Sequence, residues 1–265
     1  MRYILLALAC WLGGSGSSSA APLAQRTWTI DGVERQALVH VPAKASEEPS
    51  PVVFAFHGHG GNMNNAARMF GYETLWPEAI VVYMQGLKTP GRLTDPEGKK
   101  NGWQHGAGDQ GDRDLKFFDA ALASLKEDYQ VEETRIYATG HSNGGGFTYL
   151  LWAKRGEVFA AVAPSGSVAT KYVGDLKPKP ALHVAGENDP LVKFAWQKAG
   201  IDAVKRINGC DQKGQPWDKA GSLVGTAYPS KTGTPFVSLI SPGNHKFPSE
   251  APTLIVKFFK QHAKM

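Results

Sequence analysis

Cysteine is nearly absent: the 265-residue chain holds 2, Cys10 and Cys210. That excludes a small disulfide-stapled scaffold and leaves no cysteine cluster at zinc-site spacing. Charge of one sign is also lacking. Lys and Arg number 29 against 24 Asp and Glu, a formal net charge of +5 and a pI of about 9.1. Apart from Lys99-Lys100 the basic residues are scattered, so no basic stripe or recognition motif points to nucleic acid. No His-Glu-x-x-His pattern occurs, no internal repeat and no domain linker. No apolar run is long enough to span a bilayer. With 42% hydrophobic and 20% charged residues, the remaining reading is a globular chain whose stability comes from its core.

One short apolar run opens the sequence. Met1-Arg2-Tyr3 precedes Ile4 to Leu12, and a Gly/Ser stretch then ends in Ser19-Ala20-Ala21-Pro22. A positive charge, a short apolar core and small residues describe a secretory signal peptide, with cleavage after Ala20 or Ala21. The expectation is therefore a leader over 1–21, a single catalytic domain over 22–265, and a secreted product, extracellular or periplasmic. Cys10 as a lipid anchor is the competing reading, although Ala7-Leu8-Ala9 fits the lipoprotein box poorly. Without the leader only Cys210 remains, so no internal disulfide is expected.

Past the leader the apolar pattern alternates between periods of two and of about 3.6 residues. Strand-like runs fall at Gln36–Val41, Val52–Phe56, Ala79–Tyr83, Arg135–Thr139, Phe159–Val162 and Ala181–Val184. Gly221–Tyr228 and Phe236–Ile240 read as a strand pair. Helical patterns cover 62–70, a stretch opening at Asp112 as its cap, 144–153, 194–207 and 252–262. Strands alternating with helices predict a mostly parallel central sheet with helices on both faces. A polar loop rich in Gly and Pro, from about Gly86 to Gly111, is long enough to suggest a functional role.

Four motifs sit at the ends of predicted strands. Gly140-His141-Ser142-Asn143-Gly144 is a G-x-S-x-G between a strand and a helix, the context of a nucleophile elbow. His57-Gly58-His59-Gly60-Gly61 follows a buried strand, where backbone N–H groups of His59 and Asn143 can form an oxyanion hole. Gly186-Glu187-Asn188-Asp189-Pro190 supplies two competing carboxylates, and the strand-G-x-x-D spacing favours Asp189 over Glu187. Gly243-Asn244-His245, before the last helix, supplies a base. Chain order Ser142, Asp189, His245 is that of the α/β-hydrolases. The expected chemistry is acyl transfer through Ser142, with His245 as base and Asp189 orienting it, and no metal or organic cofactor. A histidine pair at 57 and 59 lacks the further ligands a metal needs.

Together these segments resemble the secreted polyhydroxybutyrate depolymerase-like and feruloyl esterase-like α/β-hydrolases of carbohydrate esterase family 1. The matching stretches are Phe56–Gly61, Gly140–Gly145, Gly186–Val192 and Gly243–Pro248, with Trp196–Cys210 also similar. The resemblance implies an α/β-hydrolase fold and an ester substrate from a polymer or oligomer. Feruloyl, acetyl and polyhydroxyalkanoate esters all remain open. Cys210 lacks the partner such proteins often have, Phe247 stands where they usually carry Trp, and Asp112-Arg113-Asp114 replaces their paired aspartates. Trp103 and Phe247 are the candidate substrate-binding rings, and Trp103 is expected to border a cleft beside Ser142 because ligands bind outside the carboxyl ends of such sheets. A monomer without a membrane span is expected. An inactive binding scaffold and a serine peptidase are the alternatives.

Overall fold

The computed structural model describes residues 22–264; the expected leader over 1–21, with Cys10, lies outside them. A hairpin opens the chain: β1 (Ala24–Ile30) and β2 (Val33–His40). Asp31 and Gly32 join them, both at positive φ, 50° and 77°, as a two-residue turn that matches strand twist requires. Then follow β3 (Ser50–Phe56), α1 (Met63–Phe70), α2 (Tyr72–Leu75) and β4 (Ile80–Met84). The long loop carries a small hairpin of β5 (Leu87–Lys88) and β6 (Asn101–Gly102). Next come α3 (Arg113–Asp128), β7 (Val131–His141), α4 (Asn143–Arg155), β8 (Ala161–Ser165) and β9 (Ala181–Gly186). The chain closes with α5 (Phe194–Ile207), β10 (Gln215–Ala220), β11 (Leu223–Tyr228), β12 (Phe236–Ser241) and α6 (Ala251–Lys260).

The main sheet has 10 strands in the order β1-β2-β4-β3-β7-β8-β9-β12-β11-β10. From β4 to β12 neighbours run parallel, and antiparallel pairs flank them on both edges. Every residue of β3, β4 and β9 is buried, which is why these strands read as unbroken apolar runs. Successive side chains serve opposite faces. Phe54 and Phe56 join the core under α3, α4 and α5, while Val53 and Ala55 join the core under α1 and α6. Truncating Phe54 or Phe56 to Ala would cost about 3–5 kcal/mol. This is the α/β-hydrolase fold.

Asp112 was the expected cap of α3, but its side chain makes no capping bond. The Gln104 side-chain carbonyl takes the N–H groups of Asp114 and Leu115 instead. Asp112 accepts from Gln104 Nε2 and Gly108 N, and Asp114 accepts from Gln104 N and, at 2.7 Å, from the buried Arg35 guanidinium. The first turn of α3 thereby grips the long loop.

Candidate active site

Strand order brings the carboxyl ends of β3, β7, β9 and β12 to one edge of the parallel part of the sheet, with β8 between β7 and β9, and each of the four is followed by one of the motifs. The turn after β7 is forced by local sterics. Ser142 adopts φ 57° and ψ −119°, a conformation rare for a residue with a Cβ. A Cβ on Gly140 would lie 2.4 Å from Gly144 O, and one on Gly144 would lie 2.2 Å from Phe56 O. Both positions must be glycine for α4 to start this close to β3 and β7. The reversal projects the serine hydroxyl outward.

His245 Nε2 lies 2.8 Å from Ser142 Oγ, and His245 Nδ1 lies 2.7 Å from Asp189 Oδ2. The Asp189 carboxylate is buried and accepts four hydrogen bonds: Leu191 N, Val192 N, Gln197 Nε2 and His245 Nδ1. Glu187 is exposed and has no such contact with His245. The structure thus brings Ser142, His245 and Asp189 into one line.

The loop after β3 packs against the elbow. A Cβ on Gly58 would sit 3.5 Å from Ser142 Cβ, so the backbone at 58–59 passes directly beside the serine. Asn143 is the first residue of α4, where an N–H has no intrahelical acceptor. The His57 ring is engaged at both nitrogens: Nδ1–H donates to Gly58 O and Nε2 accepts from Gly86 N. The His59 ring pairs with Asp95 across 3.0 Å.

Trp103 corrects an expectation. Its side chain is 0% exposed, so the indole has no surface to offer a substrate. It stacks on Phe147 and meets Phe56 edge-on. Indole Nε1–H donates to His57 O, and the Asn143 side chain bonds Trp103 both ways, accepting from its N and donating to its O. Trp103 therefore braces the loop after β3 against the elbow. Trp103→Phe, which keeps the ring and loses the donor, is expected to lower kcat about tenfold on all esters alike and to lower Tm, since small displacements of positioned groups cost up to about 10²-fold. Steady-state kinetics on a small and a large ester checks this; a loss confined to KM for the larger ester would restore the cleft role.

Phe247 is half-buried beside His245, edge-on to Phe70 and against the His141 ring. His141, the variable residue of the elbow motif, was not singled out by the sequence. It bonds Ser165 Oγ and packs on the His245 ring, and desolvation holds its pKa down to about 4. A separate cavity of about 380 Å³ lies in the long loop between Thr89–Arg92 and Gln104–His105. Its Gly91 wall lies against the His59 ring.

Two fully buried rings set an acid limit on stability. Desolvation holds His57 and His183 near pKa 4, against 6.5 for the free ring. A pKa lowered by folding means that the unfolded chain binds protons the native one refuses. Stability is full above pH 6.5 and falls as pH drops toward 4, by about 1.4 kcal/mol per unit for each ring. From these two rings alone, urea unfolding at pH 5 should therefore give a stability about 3–4 kcal/mol below that at pH 7, and His141, held equally low, adds to the loss; equal values would mean that these rings titrate freely.

Comparison with known proteins bears on the fold and the class of activity. The prolyl oligopeptidase family matches residues 95–175, a stretch that includes the elbow. A probable feruloyl esterase C of Aspergillus flavus is 28% identical over 203 residues, 74% of this chain and 70% of that one. Its Aspergillus clavatus counterpart is 32% identical over 187 residues, 67% of this chain and 63% of the relative. Among solved structures, an acetyl xylan esterase from Aspergillus awamori superposes with a TM-score of 0.69 at 14% identity, covering 89% of this chain and 99% of that one. The fold and elbow define a serine hydrolase of the α/β-hydrolase class. Within that class it is a carboxylic ester hydrolase that resembles feruloyl esterases.

Proposed function

We propose that the chain hydrolyses esters attached to polysaccharide fragments, feruloyl or acetyl, through an acyl-enzyme. The observation that carries this reading is the unbroken hydrogen-bonded line from buried Asp189 through His245 to Ser142 on a strained turn. Ser142 Oγ attacks the ester carbonyl as His245 Nε2 takes its proton. The carbonyl oxygen becomes an oxyanion facing the N–H groups of His59 and Asn143. Collapse breaks the acyl–oxygen bond, and the departing alcohol leaves with the proton held by His245. Water, deprotonated by the same ring, then releases the acid and regenerates Ser142. Asp189 keeps the imidazole in the Nδ1–H tautomer throughout. None of these steps draws on a metal or organic cofactor.

The substrate class rests on the esterases that the chain resembles and on the half-buried Phe247 ring, two residues from His245, as the contact for an aryl acyl group. The leader over 1–21 would deliver the chain outside the cytoplasm, where such polymers are met. Residues 22–265 would work as one domain and as a monomer. Among the described residues no helix is long and apolar enough to cross a membrane.

The test is a fluorophosphonate probe followed by a substrate panel. Labelling should map to Ser142, and methyl ferulate or acetylated xylan should be turned over faster than a short 3-hydroxybutyrate ester or a peptide. Phe247→Ala should raise KM for methyl ferulate by about tenfold and leave the acetyl ester within about twofold, the scale of losing one aromatic contact. Absence of labelling would indicate a binding scaffold, and preference for the hydroxybutyrate ester or the peptide would move the chain to those substrate classes.

A further inference from the structure

The line through Asp189 does not stop at the carboxylate. Behind it Gln197 on α5 donates from Nε2 to Asp189 Oδ2 at 3.1 Å and to Val192 O at 2.7 Å. Its Oε1 lies 3.1 Å from His183 Nε2, and His183 Nδ1 lies 2.8 Å from the Tyr149 hydroxyl. Gln197, His183 and Tyr149 are 0%, 1% and 1% exposed. They come from α5, β9 and α4, so no one element could have assembled them.

Directions along this chain are determined. Two acceptors, Asp189 Oδ2 and Val192 O, face one end of the Gln197 amide, so that end is the NH₂ and the other is the carbonyl. A carbonyl can only accept, which makes His183 Nε2 the protonated nitrogen. Burial keeps the ring neutral, with its pKa near 4, so Nδ1 carries no hydrogen and accepts from Tyr149. Burial also pushes the phenol upward, so it remains a donor. Each link therefore donates toward Asp189. Aligned donors polarise one another and favour the charged form of the terminal acceptor.

We infer that Gln197, His183 and Tyr149 are positioning residues that hold the Asp189 carboxylate in place through a unidirectional hydrogen-bond relay anchored on the elbow helix. The relay closes a ring. Tyr149 lies about two turns along α4 from Ser142, so the helix that starts at the serine also ends the chain supporting the acid. A shift of α4 relative to α5 would disturb Ser142 and Asp189 together. The titratable groups in contact with the line are Asp189, His245, His183 and Tyr149 within it, and His141 against His245.

This inference rests on the triad reading, and its test separates the two. Full-length wild type, Gln197→Met, Gln197→Glu and Tyr149→Phe are compared on p-nitrophenyl acetate from pH 5 to 9, with active enzyme counted by fluorophosphonate titration. Wild type that neither labels nor turns over removes the triad reading itself. With active wild type, Gln197→Met should lose about tenfold in kcat with KM within about twofold. Its rise of activity with pH should move upward, because a carboxylate relieved of one donor attracts the Nδ1–H of His245 more strongly. Tyr149→Phe should change in the same sense by about threefold in kcat. Gln197→Glu can replace the amide only while protonated, so its activity relative to wild type should fall as pH rises. A purely structural network predicts lower Tm but the same kcat and pH midpoint per active site in all three variants, and that result would overturn the relay. Should Gln197→Met fail to fold, the Tyr149→Phe and Gln197→Glu comparisons decide.

Discussion

Ser142→Ala is expected to abolish ester hydrolysis, lowering kcat at least about 10³-fold with the fold intact. The hydroxyl is half-exposed at the tip of the turn, and its side-chain hydrogen bond runs to His245 Nε2. Removing it costs the core nothing. The backbone demand is unchanged too, because Ala and Ser carry the same Cβ penalty at φ 57°. The residues bracing the site, Trp103 and Asn143, bond through atoms this substitution does not touch. Thermal melting within a degree or two of wild type should therefore accompany the loss. Residual catalysis above water, from the oxyanion donors and substrate binding, can reach 10³–10⁴-fold in such triads. Turnover like that of wild type would show that Ser142 is not the nucleophile.

Much of this arrangement was legible in the sequence because each motif sits at a strand end, and strand ends in a parallel sheet lie together. The strands that bury both faces, such as β3 and β4, announced themselves as apolar runs. The edge strands did not. β1 carries Gln25, Arg26 and Thr27 and buries little, so it lacks a hydrophobic signal; the Asp31-Gly32 turn that closes its hairpin was the available cue. β10 is similar, with a Pro, an Asp and a Lys on an exposed edge. Trp103 departs from its sequence expectation for a different reason. A lone aromatic in a polar loop looks like a ligand platform, yet the same large surface stabilises most when buried, and here the loop folds over it. The relay was invisible because its members are separated along the chain and each is unremarkable alone. Tyr149 belongs to a helix buried nearly all round, and His183 alternates within a buried strand. Only burial makes them informative: a buried polar side chain must find a partner, and following the partners leads to Asp189.

Asp189→Asn should be as damaging as any single change at the acid, about 10⁴-fold in kcat/KM, while Glu187→Gln should stay within about twofold. The contacts of Asp189 say why. Oδ1 accepts from Leu191 N and Val192 N, so an asparagine must place its carbonyl there. Its amide nitrogen then occupies the site of Oδ2, facing Gln197 Nε2 and His245 Nδ1. Donor meets donor at Gln197. At His245 the amide forces Nδ1 to accept, which moves the ring proton to Nε2, where it faces Ser142 and can no longer receive the serine proton. Flipping the amide to spare His245 would aim NH₂ at two backbone N–H groups, so the local structure does not offer that escape. Glu187 has only backbone anchoring in this turn, through its N–H to Ser241 O, and its side chain points to solvent. Measuring kcat/KM for both variants on one ester, with melting curves to confirm folding, decides the acid. A crippled Glu187→Gln beside an active Asp189→Asn would transfer the role to Glu187 and leave the buried carboxylate as a turn-forming residue held by Leu191, Val192 and Gln197.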